Sequence, residues 1–182
     1  MAKSRSKSRK GKKFAKKVFD IGLFLLIVLV VTYILSVFVV ERSTVHSTSM
    51  KPTLSPDDSI LIDKISFRFR DPERYEIIVF KNSGEELIKR VIALPHETVM
   101  IKDGIIYVDG EEQEAIEGLD KPIKAGIAKD PIELMDGEYF VLGDNREDSI
   151  DSRYEEVGIV TDTRIVGRLM MRILPLGKIK TF

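Results

Sequence analysis

Thr98-Val99-Met100-Ile101-Lys102-Asp103-Gly104-Ile105-Ile106-Tyr107-Val108 is the stretch that decides the fold. β-Branched and aromatic residues flank an Asp-Gly pair, and that pair tolerates the positive φ angles that a two-residue hairpin turn requires. Two strands are therefore predicted, Thr98–Lys102 and Ile105–Val108. Moving outward, short runs of the same character recur at Ser59–Ile65, Ile77–Lys81, Leu87–Ala93, Glu138–Leu142 and Ile165–Leu174, separated by turn signals and without long helical periodicity. This part of the chain reads as mainly β, built on antiparallel sheet. The acidic segment Asp109–Asp136 holds Gly118, Pro122, Gly126 and Pro131 and lacks period-two alternation, so an extended excursion peripheral to the chemistry is expected there. No internal repeat of solenoid length is present.

Before the strands stands Ile21–Val40, IGLFLLIVLVVTYILSVFVV, twenty residues without a charge. At about 1.5 Å per residue such a helix spans the roughly 30 Å hydrocarbon core of a bilayer. A buried core helix would seldom be apolar on every face for so long. A cleavable signal peptide would have a shorter apolar region ending in small residues, whereas Glu41-Arg42 follows here. The segment reads as an uncleaved signal anchor within 18–40.

Residues 1–17 carry nine Lys or Arg and no acid. By the positive-inside rule this tail stays in the cytoplasm and residues 41–182 lie on the extracytoplasmic side of the plasma membrane. The basic residues are also compatible with a disordered tail touching anionic lipid. All 20 other basic residues lie beyond Glu41, against 28 acidic residues from Glu41 onward, Asp20 being the one acid before it. That net charge of about −8 argues against nucleic acid as a partner of this portion. The absence of cysteine excludes disulfides, thiolate metal sites and cysteine nucleophiles.

Three clusters carry chemistry. Ser47-Thr48-Ser49-Met50-Lys51-Pro52-Thr53-Leu54 follows the apolar segment by a few residues, which expects its work near the membrane surface. Alone it is ordinary turn chemistry. The second, Glu86-Leu87-Ile88-Lys89-Arg90-Val91-Ile92-Ala93-Leu94-Pro95, puts Lys89 on one strand face with Leu87, Val91 and Ala93. A desolvated ammonium loses its preference for the charged form, and a neutral amine can take the proton of a serine hydroxyl. Taken alone, the strand also fits a lysine snorkelling from a sheet edge. The third, Gly143-Asp144-Asn145-Arg146-Glu147-Asp148-Ser149-Ile150-Asp151-Ser152-Arg153, is a polar loop able to orient neighbouring side chains. A calcium-type loop is the alternative, but Arg146, Arg153 and Arg164 oppose a cation, so no metal is expected.

In this order behind a single anchor, the clusters resemble the type I signal peptidase family, which removes signal peptides from exported proteins. Residues 47–54, 89–95 and 143–153 match its motifs, and the likeness spans most of the chain. It implies a mostly antiparallel β catalytic core with a smaller variable extension, here 97–137, and a serine endopeptidase with a Ser-Lys dyad and no cofactor. It implies cutting after small residues, Ala-x-Ala type, with signal peptides of exported preproteins, membrane lipid and the protein-export machinery as partners. Ser49 would be the nucleophile and Lys89 the general base. Ser47 would donate to the oxyanion with the Ser49 N–H, and Ser149 would orient Lys89. Asp151 and Arg153 would form a supporting ion pair, and Asp144 and Asn145 would shape the loop. Val45, Met50, Leu54 and Ile88 would line shallow substrate pockets.

The chain departs from the family pattern at Leu87, where Tyr is common, at His96-Glu97, where Gly-Asp is usual, and at Thr48, a position that is often Gly. His46 and His96 are the only histidines, and His46 is too close along the chain to Ser49 to complete a Ser-His-Asp triad. The competing reading is an anchored chaperone that binds exported chains without cutting them, but such a protein has no reason to keep both Ser49 and Lys89. A self-cleaving regulatory protease with the same dyad would carry a DNA-binding domain where this chain has its apolar segment.

Overall fold

The computed structural model of the chain describes residues 4–113, 116, 119 and 124–182. Gly118 and Pro122, read above as turn residues, lie outside the described residues. The chain divides between Val39 and Val40 into two compact units.

The first unit is one helix, α1, Ser4–Phe38. Within it Phe14–Ile34, 21 residues, is long and apolar enough to cross a membrane, and every side chain in that span is exposed. Two details differ from expectation. The helix begins inside the basic segment, before the span 18–40 read as the anchor, because Lys and Arg are good helix formers and no proline interrupts them. It also ends early: Val39 is in a turn and Val40 opens a strand, since Val40 pairs with Asp63 in a ladder and β-branched residues favour that geometry.

Among the described residues the second unit has twelve strands: β1 (Val40–Thr44), β2 (Ser59–Asp63), β3 (Ile77–Asn82), β4 (Glu85–Ala93), β5 (Thr98–Lys102), β6 (Ile105–Val108), β7 (Glu111–Glu112), β8 (Ile132–Glu133), β9 (Glu138–Leu142), β10 (Val160–Thr161), β11 (Ile165–Leu174) and β12 (Lys180–Thr181). All pairs are antiparallel. The larger sheet runs β1-β2-β11-β3-β4-β9-β10 with β12 on β11, and the smaller runs β7-β6-β5-β8.

The decisive hairpin forms as read, with Asp103 and Gly104 both at positive φ, 53° and 82°. The strand expected to reach Ile65 stops at Asp63, because the Asp63 carboxylate accepts the N–H groups of Ile65 and Ser66 and bends the chain out of the ladder.

Among the described residues three apolar clusters fill this unit. Val45, Met50, Leu54, Ile60, Ile62, Ile77, Val79 and Leu169 form one, and Ile78, Phe80, Val91, Tyr139, Val141, Val157 and Val160 a second. The third joins the two sheets, packing Val99, Ile101, Val108, Ala128 and Leu134 against Ile92, Ala93, Phe140 and Leu142. A register shift between Val91 and Ala93 sends these two residues into different clusters, so strict alternation along β4 breaks at Ile92.

The excursion is not peripheral. Ala128 and Leu134 are buried in the third cluster, and Ile127 N–H donates to the Arg153 carbonyl at 2.9 Å. Gly126 lies so close to this strut that a β-carbon there would stand 2.0 Å from the Arg153 oxygen, and its φ is +59°. Where the family pattern has Gly-Asp, His96 occupies the left-handed region at φ 68°, while Glu97 accepts the Leu94 N–H and pairs with Arg74. The opposite signs of two substitutions check this account in a thermal melt. His96→Gly relieves backbone strain and raises stability by up to about 1 kcal/mol. Gly126→Ala adds both strain and a clash, and lowers stability by about 2 kcal/mol or more.

Candidate active site

The nucleophile candidate sits where the chain leaves the ladder between β1 and β2. The base of this loop is closed by Val45 N–H to the Asp58 carbonyl and Asp57 N–H to the Val45 carbonyl. Arg172 clamps it further by donating to the Thr53 carbonyl and the Asp58 carboxylate, each at 3.0 Å. Inside it, Lys51 N–H donates to the Thr48 carbonyl and Leu54 N–H to the Met50 carbonyl. Met50 and Leu54 are both 0% exposed, and burying each side chain is worth about 2 kcal/mol, so they pin the turn to the core.

That anchoring leaves Ser49 6% exposed and presents its hydroxyl to Lys89, itself 2% exposed on β4. Lys89 Nζ donates to Ser49 Oγ at 2.6 Å. The hydroxyl of exposed Ser47 lies 3.1 Å from Ser49 Oγ. Burial pushes the Lys89 amine down to about 8, while the charges of Asp151 and Asp144 pull the other way and Arg153 adds to the lowering. At that value about a tenth of the amine is unprotonated at pH 7, and in that fraction the same contact runs in reverse, with the serine hydroxyl donating to nitrogen.

The polar loop after β9 surrounds this pair. Asp151 accepts the Gly143 N–H at 3.0 Å and binds Arg153 through both oxygens at 2.8 and 2.9 Å. The two side chains are 0% and 1% exposed. Arg153 also donates to the Ser149 carbonyl, and Ser152 Oγ accepts the Val141 N–H. Asp144 is held by the fork of Arg90 at 2.8 and 2.6 Å. Asn145 reaches across to the nucleophile turn, its N–H donating to the Ser49 carbonyl at 2.9 Å and its Nδ2 to the Thr48 carbonyl at 3.2 Å. Gly143 fills the tightest space: a β-carbon there would lie 2.1 Å from Ser149 Oγ and 2.6 Å from the Ser49 carbonyl oxygen.

The Ser149 hydroxyl is buried but makes no hydrogen bond, so the orienting contact with Lys89 is not formed; the amine instead points at Ser49. Val45, Met50 and Leu54 are buried, packed with Ile60 and Ile62 in one core cluster. Ile88, packed against them, is half-buried and keeps accessible surface. Arg146 is buried with Nε unpartnered, and burial lowers its pKa. Arg90, Thr48 and Asp148 were not singled out beforehand as contacts of this region. Arg90 stood next to Lys89 in the second cluster, yet no local pattern names Asp144, 54 positions away, as its partner. Among the described residues no group of His, Cys, Asp or Glu is placed to hold a metal ion.

Residues 18–174 match the family model described as signal peptidase, peptidase S26. The probable signal peptidase I-2 of Synechocystis sp. is 39% identical over 152 residues, which are 78% of this chain and 66% of that protein. The signal peptidase I of Bacillus amyloliquefaciens is 30% identical over 188 residues, covering 96% of this chain and 98% of its own length. A crystal structure of a signal peptidase I from Enterococcus faecalis is 29% identical, covering 56% of this chain and 98% of its own, with a TM-score of 0.47. With a family match over most of its length and relatives of this identity, the chain belongs to the signal peptidase family, peptidase S26.

Proposed function

We propose that this chain is a membrane-anchored signal peptidase I, which removes N-terminal signal peptides from exported preproteins after small residues of the Ala-x-Ala type, with Ser49 as nucleophile and Lys89 as general base. The observation that carries this reading is the 2.6 Å contact between a buried lysine amine and a buried serine hydroxyl inside a peptidase S26 chain. Neutral Lys89 takes the Ser49 proton as Oγ attacks the scissile carbonyl. The negative charge that develops on the carbonyl oxygen is met by the Ser47 hydroxyl and the Ser49 N–H. The Lys89 ammonium then gives its proton to the departing amine, and the amine so regenerated deprotonates the water that releases the acyl group. Ile88, half-buried against Val45, Met50 and Leu54, offers apolar surface to a small residue before the cut.

The division of labour follows the chain. Residues 1–17 form a basic cytoplasmic segment, 18–40 the anchor, and 41–182 the extracytoplasmic catalytic part, with 97–137 as its variable extension. The basic flank of the apolar span supports that orientation. Ten residues, 39–48, separate the end of α1 from Ser49 along the chain, which favours substrates whose cut lies close to the membrane surface. Membrane lipid and the protein-export machinery are the further partners of this reading.

Detergent-solubilised protein cleaves a preprotein just after its Ala-x-Ala site, and Ser49→Ala and Lys89→Ala each lose roughly a thousandfold or more in kcat/KM while keeping the wild-type melting transition. Retained cleavage in Lys89→Ala overturns the dyad. Because the base must be neutral, kcat/KM rises with pH through a limb centred near the Lys89 value of about 8, well below the ordinary lysine range. A flat profile between pH 6 and 9 contradicts lysine as the base.

A further inference from the structure

The side chain of Thr48 stands immediately before the nucleophile at a position that is often glycine. Its hydroxyl donates to Asp148 Oδ2 at 2.6 Å across 100 residues of sequence. The Thr48 carbonyl is also occupied, accepting Lys51 N–H from the turn and Asn145 Nδ2 from the polar loop. Residue 48 is thus held at both its carbonyl and its side chain, and the Ser49 carbonyl is held by the Asn145 N–H. No strand covers 45–49, so none of this fixing comes from a sheet ladder. A β-branched residue has few χ1 wells, which makes its hydroxyl an efficient tether.

We propose that Thr48 and Asp148 are positioning residues: their side-chain bond clasps the nucleophile turn to the Gly143–Arg153 loop and keeps Ser49 Oγ within reach of Lys89. Neither touches the dyad nitrogen or hydroxyl, and a glycine at 48 could not supply the clasp. The bond is exposed, so its loss costs little stability. A slack turn, by contrast, misplaces the attacking oxygen, and displacements near 1 Å cost roughly a hundredfold in rate.

This inference rests on the Ser49–Lys89 reading. Full-length protein in detergent is assayed on an Ala-x-Ala preprotein, with Ser49→Ala as the control. Thr48→Val lowers kcat about tenfold with KM within twofold and an unchanged melting temperature, a loss short of the hundredfold for a full displacement. Thr48→Ser keeps kcat within twofold of wild type. Asp148→Ala reproduces the Thr48→Val loss, and the double variant is no slower than either single, as expected when both remove one interaction. Wild-type kcat in Thr48→Val, or additive losses in the double variant, overturns the clasp. Should Thr48→Val fail to fold, Asp148→Ala on an exposed side chain decides alone, and wild-type kcat there is again fatal. Cleavage by Ser49→Ala would instead remove the dyad reading itself.

Discussion

A lysine amine kept out of water is the constraint on which the rest of this structure depends. Holding Lys89 near 8 instead of 10.5 means that the fold disfavours its protonated form by about 3 kcal/mol. That penalty is tolerable only in a site rigid enough to keep solvent away. Met50 and Leu54 below the turn, β3 and β9 on either side of β4, and the closely packed Gly143 all serve that exclusion. The serine is the beneficiary: a hydroxyl has little nucleophilic power until a neutral base lies within hydrogen-bond distance.

The acids around the amine could have undone this. Asp151 and Asp144 both favour the charged form of Lys89, and left unpaired in so buried a site they would restore the ammonium. Each is instead committed to an arginine, Asp151 to Arg153 and Asp144 to Arg90, through two hydrogen bonds apiece. The two forks therefore act on structure and charge together. They brace the loop that crosses to Ser49, and they spend the carboxylates on guanidinium partners so that the amine stays close to the working range.

Much of this was legible in the sequence because it is written locally. Asp103-Gly104 specified its hairpin, and the runs Glu138–Leu142 and Ile165–Leu174 became strands with those bounds. The serine, the lysine and the polar loop were each visible as motifs. What escaped was what depends on distant partners. Val40–Thr44 became a strand only because Ser59–Asp63 lies beside it, and nothing in an apolar run continuing to Val40 announces that. The polar excursion looked dispensable until Ala128 and Leu134 proved to be core and Ile127 to be tied to Arg153. The depth to which Val45, Met50 and Leu54 are buried is likewise set by partners such as Ile60 and Leu169 that lie far along the chain.

The position of β11 between β2 and β3 has a bearing on when the enzyme comes into being. The serine loop belongs to the β1–β2 pair and the lysine to the β3–β4 pair, and the large sheet links these pairs only through residues 165–174. Long-range pairings of this sort form slowly, because chain-closure entropy is spent before any contact rewards it. A nascent chain emerging N-terminus first therefore carries Ser49 and Lys89 before it carries the strand that joins their two pairs in the sheet.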